Sequence, residues 1–190
     1  MKPDGKRYNV NGKHVEYVKW SFDFRMSTAY GPVVHDIKFD GKHVIYELGL
    51  QEISVFYSGH IPQQRFSDYM DSGELIGPAA QCIIPGVDCP NNVTYFDTMH
   101  VTETAETADT IHNVGLNTGE PLRRRNSYFK SEGLFYEGME NVVLVLRTVL
   151  TVVNYDYVVD FGFYQTGGIA TKAMSTGYVL RKGKELRLSN

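Results

Sequence analysis

The residues able to do chemistry are few, and their spacing fits none of the common catalytic or metal-binding templates. The only cysteines are Cys82 and Cys89, and their Cys-x6-Cys interval matches no zinc pattern. Six histidines lie at positions 14, 35, 43, 60, 100 and 112. His35 and His43 flank a turn without facing each other and read as solvent-facing strand histidines, not a metal pair. A cysteine–histidine pair would make a nucleophile and its base, yet no local context brings the two types together. Glycine-rich phosphate loops, the Gly-x-Ser-x-Gly elbow and the His-Glu-x-x-His helix are absent. Arg123-Arg124-Arg125 is too short and isolated for nucleic acid and reads as an exposed or ion-paired turn. Asn92-Val93-Thr94 is a glycosylation acceptor only in a secretory protein. On these grounds alone the chain is a soluble β domain.

Composition narrows the class. Nineteen Lys and Arg stand against 22 Asp and Glu, a net charge of −3 over 190 residues, which lacks the basic footprint of a nucleic-acid binder. With 42% hydrophobic and 13% aromatic residues the chain is not disordered, and its length suits one domain with a substantial core. The longest strongly apolar stretch, residues 142–146, is far too short for a membrane-spanning helix. Two cysteines exclude a disulfide-dense miniprotein. The opening Met-Lys-Pro-Asp-Gly-Lys-Arg has no secretory apolar segment, so the expectation is either a cytosolic protein or a sequence that begins inside a longer precursor.

The elements that must position any site alternate with period two. Val18, Trp20, Phe22, Phe24 and Met26 alternate with polar residues as in a half-buried strand. Ile37 and Phe39 lead into Asp40-Gly41, and Val44, Tyr46, Leu48 and Leu50 lead out, a hairpin signal because both turn residues must reach positive φ. Residues 62–71 predict a short helix or helical turn behind Pro62. Residues 73–91 read as loop, 94–101 as strand, 103–109 as a solvated acidic loop. Val142, Leu144, Leu146, Leu150 and Val152 alternate, and then the phase shifts to Val153, Tyr155, Tyr157, Val159, Phe161 and Phe163. That slip predicts a bulge or strand break near Val152–Asn154. Gln165-Thr166-Gly167-Gly168 turns the chain into a further strand over 169–178. The predicted class is all-β, an antiparallel β-sandwich with one or two short helical turns.

One segment carries more than pattern. Thr151-Val152-Val153-Asn154-Tyr155-Asp156-Tyr157 closely resembles the cofactor-forming motif of the copper-containing primary-amine oxidases. Tyr69-Met70-Asp71-Ser72-Gly73-Glu74 is similar to that family's catalytic-base motif, and Ile53-Ser54-Val55-Phe56-Tyr57-Ser58-Gly59 to the segment whose tyrosine bonds the cofactor. Tyr57 stands twelve residues before Tyr69, the family's separation. Gly86-Val87-Asp88-Cys89-Pro90 and Pro121-Leu122-Arg123-Arg124 look like animal-type members, and residues 161–178 keep the Phe-Tyr…Gly…Thr-Gly-Tyr pattern. The resemblance runs in order over nearly the whole chain.

What it implies is specific. Tyr155 would be the tyrosine oxidised with copper(II) and O2 to topaquinone, since a plain phenol, with a pKa of about 10, has no carbon electrophilic enough to accept an amine. The quinone would form a Schiff base with a primary amine, and Asp71 would be the proton acceptor for its Cα proton. An aspartate near its ordinary pKa of about 3.9 is a weak base, so partial burial should raise it. Tyr69 would gate the substrate channel, Tyr57 would orient the ring, and Asn154 would limit its rotation. The products would be an aldehyde, ammonia and hydrogen peroxide. The complete family member is a homodimer, extracellular or at the cell surface in animals.

The departures set further expectations. The family's His-x-His copper pair and third histidine follow the quinone tyrosine, but no histidine follows Tyr155. Residues 1–190 therefore resemble a single domain, the first part of the catalytic domain, with the copper ligands outside it. This polypeptide alone is expected to lack amine oxidase activity. The family's disulfide partner for Cys89 is also missing, since Thr110-Ile111-His112-Asn113 stands at its place, leaving Cys82 as the candidate partner. The alternative is a non-catalytic β-sandwich module derived from this fold, acting by binding or subunit pairing without copper.

Overall fold

The computed structural model of the protein describes residues 6–51, 53–54, 69–70, 76–91, 93–101, 105–127, 129, 131, 133–152 and 154–178, with backbone alone at 53–54, 69–70, 100–101 and 105–119. Alternation in the first fifty residues becomes a five-stranded antiparallel sheet in chain order: β1 (Tyr8–Asn11), β2 (His14–Tyr17), β3 (Trp20–Ser27), β4 (Gly31–Phe39) and β5 (Lys42–Gly49). A two-strand pair follows, β6 (Ile53–Ser54) with β7 (Tyr69–Met70), and then a 3-10 turn over Gly77–Ala79 leads into β8 (Ala80–Gln81). The second sheet holds β9 (Thr94–Val101), β10 (Ala105–Asn126), β11 (Tyr136–Val152), β12 (Tyr155–Tyr164) and β13 (Ile169–Gly177), ordered β13-β12-β11-β10-β9, with β8 added beside β11.

The two sheets form an antiparallel β-sandwich. Trp20, Phe22, Phe24 and Met26 point inward from β3 and meet Leu144, Leu146 and Leu150 of β11 and Val159, Phe161 and Phe163 of β12. Phe22 stacks on Phe163 with centroids 4.2 Å apart and planes 13° from parallel. Two aromatic side chains also use their polar ends. The Tyr17 hydroxyl donates to the Val142 carbonyl at 2.8 Å, and the Trp20 indole N–H donates to the Tyr164 carbonyl at 2.7 Å. Each bond crosses from one sheet to the other and satisfies a group that burial would otherwise leave unpaired.

β11 is buried on both faces. Its even-numbered residues face the first sheet, while Val143 and Val145 lie beneath Ile83 and Cys89 of the segment preceding β9. On that second face Arg147 makes a bidentate pair with its cross-strand partner Asp160, both bonds at 2.7 Å, and donates a third bond to the Asp88 carbonyl at 2.5 Å. The Asp88 carboxylate in turn accepts the Ile84 N–H at 2.7 Å. One guanidinium thus fastens the 84–89 turn to β11 and β12.

Several expectations change. Val18 is no strand residue: the pairing of Tyr17 with Trp20 makes Val18-Lys19 a two-residue turn, and Val18 sits exposed at φ 55°. The predicted helix over 62–71 falls mostly outside the described residues, and its described part, Tyr69–Met70, is strand because it pairs with Ile53–Ser54. The helical turn lies instead at Gly77–Ala79, in the stretch read as loop. The acidic loop over 103–109 is strand from Ala105, where cross-strand pairing with β9 overrides a polar composition. Arg123–Arg125 likewise lie within β10, and Arg124 stacks over the Tyr136 ring at 4.0 Å instead of sitting in a turn. The Asp40-Gly41 hairpin forms as expected, with φ of 53° and 74°.

Two outcomes test these packing claims. Arg147→Met, which strands the nearly buried Asp160 carboxylate, should cost about 3–5 kcal/mol by urea denaturation, and an Arg147→Met/Asp160→Leu double variant much less. Equal losses in the two variants would show that the pair's charge balance is irrelevant. Tyr17→Phe should cost about 1–3 kcal/mol by leaving the Val142 carbonyl unpaired. Burial raises the Tyr17 phenol above its ordinary value. Its contribution is therefore complete below pH about 10, the unfolded value, and is lost as pH climbs through the folded one. Stability measured between pH 8 and 11 should fall less in Tyr17→Phe than in the parent.

Candidate functional site

The phase slip seen in the sequence is a hairpin. β11 ends at Val152, β12 begins at Tyr155, and the two pair directly, so only two residues connect the strands. A strand break there was expected, and a two-residue turn is its physical form. Because the register is continuous through the turn, Tyr155 and Tyr157 fall on the face of β12 that carries Val159, Phe161 and Phe163 into the core. Tyr155 is half-buried at the rim. Tyr157, one step inward, packs against the core opposite Leu150. Their rings lie 6.1 Å apart at 43°. Burial, then the neighbouring Tyr155, push the Tyr157 phenol above its ordinary value, offset in part by a hydrogen bond with Ser175.

The turn is held from two directions. On the face opposite the tyrosines, the Thr151 hydroxyl donates to the Asp156 carboxylate at 2.6 Å, across the last rungs of the β11–β12 ladder. On the β13 side, Asn154 is buried and its amide donates to the Tyr178 carbonyl at 2.6 Å, while the Tyr178 N–H donates to the Asn154 carbonyl at 3.0 Å. Sequence reasoning singled out Asn154 for a role toward the ring, and its visible amide contact is to β13's exit. It missed Gly177, the residue paired with Tyr155, although the Thr-Gly-Tyr pattern at 176–178 was its signal.

Of the other expected site residues, Asp71 and Tyr57 lie outside the described residues, and Tyr69 is described by its backbone in β7. The structure does bring together the segments that carry two of them. Ser54, three residues before Tyr57, pairs with Tyr69, and Ile53 pairs with Met70, the residue before Asp71. After Asp71, the chain enters the core at Ile76, which shares the main cluster with Leu150 and Tyr157, and Ala80 pairs with Leu150 itself. Cys82 is exposed and Cys89 buried, both as free thiols, and Cys89 Sγ sits 3.5 Å from the Tyr95 hydroxyl. That contact pushes the Tyr95 phenol up to about 12.

No group of three or more His, Cys, Asp or Glu among the described residues is arranged to hold a metal ion. The donor set present there does not fit copper. No helix among them is long and apolar enough to cross a membrane.

Comparison with known proteins agrees with this architecture. The family described as copper amine oxidase, enzyme domain, matches residues 9–186. The chain is 42% identical to a putative copper-containing amine oxidase of Margaritifera margaritifera, over 95% of this chain and 24% of that protein. Against the copper-containing diamine oxidase of Homo sapiens it is 39% identical over 94% of this chain and 24% of the other. The crystal structure of Aspergillus nidulans amine oxidase superposes with a TM-score of 0.85 at 32% identity, covering 94% of this chain and 24% of that one. Pichia pastoris lysyl oxidase, at 23% identity and a TM-score of 0.84, shares the fold. The chain thus spans about a quarter of the length of the relatives it matches. With residues 9–186, almost the whole of this chain, matched to the family's enzyme domain and the fold shared with a solved member, this chain belongs to the copper amine oxidases.

Proposed function

We propose that this chain is the part of a copper amine oxidase catalytic domain that supplies the quinone precursor, Tyr155, and the catalytic base, Asp71, for the oxidation of primary amines by O2. The observation that carries the reading is the placement of Tyr155. It is a half-buried phenol at the start of β12, next to a two-residue turn, with its backbone tied to strands on both sides, inside a match to the family's enzyme domain over residues 9–186.

A quinone at Tyr155 would supply the electrophilic carbonyl and the electron sink that an unmodified phenol lacks. The chain's own residues do the rest. The Asp71 carboxylate takes the proton from the carbon bearing the amine nitrogen, Tyr57 aligns the ring through its hydroxyl, and Tyr69 lines the approach. Ile76 is five steps along the chain from Asp71, a reach of about 18 Å at full extension, and it is anchored in the cluster that holds Leu150 and Tyr157. That tether supports a base within range of the tyrosine hairpin. In the proposed complete enzyme the copper ligands come from residues outside these 190, in a homodimer.

Two measurements test the reading. Purified as 190 residues and exposed to copper(II) and air, the chain should bind no stoichiometric copper and stay negative to a redox-cycling quinone stain. A copper-loaded, stain-positive product would refute the assignment of the ligands to other residues. In a longer product that carries the downstream histidines, Tyr155→Phe should abolish the stain, and Asp71→Asn should keep it while lowering the rate of amine oxidation about 10²–10⁴-fold. A stain that survives Tyr155→Phe would overturn the assignment of the quinone to Tyr155, and a parent longer product that stays stain-negative would favour a non-catalytic module.

A further inference from the structure

The strand that closes the sheet beside Tyr155 comes nearer to it than any residue with a side chain allows. Gly177, its partner on β13, adopts φ +117°, a conformation closed to L-residues in practice. A Cβ added there would lie 2.2 Å from the Asn154 carbonyl oxygen, 2.9 Å from Tyr155 Cα and 3.1 Å from the Asn154 carbonyl carbon. All three atoms are backbone, so no rotamer change could relieve the collision. At Gly168, at the other end of the β12–β13 hairpin, a Cβ would meet nothing nearer than 3.8 Å. The close approach is therefore a local feature of the Tyr155 end and not of the whole strand.

The same place carries the reciprocal pair between Asn154 and Tyr178, in which the Asn154 amide donates to the residue 178 carbonyl and the residue 178 N–H donates to the Asn154 carbonyl. A tight turn at the end of a sheet ordinarily frays, because its last residues are bonded on one side only. Here the turn is bonded to β11 through the hairpin ladder and to the exit of β13 through residue 178.

We propose that Gly177 is a positioning residue for Tyr155. Its bare Cα lets β13 lie against the Asn154–Tyr155 peptide, and the Asn154–Tyr178 pair clamps that contact, so the tyrosine's backbone is fixed although its ring sits at the rim. The functional meaning of this rests on the reading of Tyr155 as the cofactor precursor, but the positioning itself does not.

The test is nuclear magnetic resonance on the 190-residue chain with tyrosine ring carbons labelled, comparing the parent with Gly177→Ala and, as control, Gly168→Ala. Gly177→Ala should displace the Tyr155 and Tyr157 ring resonances and speed exchange of the Tyr178 amide by about tenfold or more. The Trp20 indole N–H, bonded to the Tyr164 carbonyl at the far end of β12, should keep its protection. Gly168→Ala should change neither. Unmoved Tyr155 resonances, or a loss of protection at Trp20 equal to that at Tyr178, would overturn the proposal. Should Gly177→Ala fail to fold, Asn154→Ala removes one half of the clamp without a collision and should shift the same Tyr155 resonance; an unchanged resonance there overturns it equally. A longer product that never forms a quinone would defeat the oxidase reading while leaving a displaced Tyr155 as proof of positioning.

Discussion

Burial of β11 on both faces is the constraint from which the rest of the architecture follows. A strand that carries Leu144, Leu146 and Leu150 into one layer and Val143 and Val145 into another cannot lie at a surface. It must have strands beside it and layers above and below, which fixes the first sheet on one side and the 83–93 segment on the other. Its partners are then determined rung by rung. A slip of one residue against β12 would turn Phe161 and Phe163 out of the core and bring Asp160 and Gly162 in. The tyrosine hairpin is the end of this fully specified ladder, so the position of Tyr155 inherits the register of the most buried pair of strands in the molecule.

Polar groups inside such a core have to be matched, and where they are matched reveals what each face is for. The face toward the first sheet takes hydroxyl and indole donors onto backbone carbonyls, at Tyr17 and Trp20, and apart from the buried Thr148 its β11 core positions are apolar. The opposite face carries the charged pair Arg147–Asp160 and, nearer the turn, Thr151–Asp156. Both polar pairs are cross-strand neighbours in the same ladder. They tie β11 to β12 from behind, where a guanidinium also collects the Asp88 carbonyl.

Much of this was legible in the residues, for physical reasons that also explain the misses. A strand with one wet face announces itself by alternation, as β3 does, and Asp-Gly at 40–41 names its own turn. Alternation also exposed the hairpin at 152–155, but as a slip of phase, because Val153-Asn154 lacks the glycine that usually marks a two-residue turn. β10 was invisible. Its residues 105–111 are small, polar and acidic, and only pairing with β9 makes them a strand. The short pair β6–β7 was hidden in the same way, since Tyr69–Met70 follow good helix formers and owe their conformation to Ile53–Ser54. The site was legible through family likeness and not through chemistry, because an unmodified tyrosine beside an asparagine carries no catalytic signature of its own.

That last point bears on how such a site is built. A residue whose reactivity comes only after modification cannot be recognised by a perturbed acid or a paired nucleophile, and its demands fall on geometry instead. Mid-strand placement would fix Tyr155 but bury its ring, as happens to Phe161 three side chains further along the same face. A flexible loop would expose the ring but surrender its position. The end of a ladder is the compromise, provided that the end does not fray. Here the ladder is extended past its natural limit by bonding the turn to residue 178 and by leaving position 177 without a side chain. The tyrosine next to the turn then has the backbone order of a core residue and the ring access of a surface one, which is the combination that a reaction on the ring itself requires.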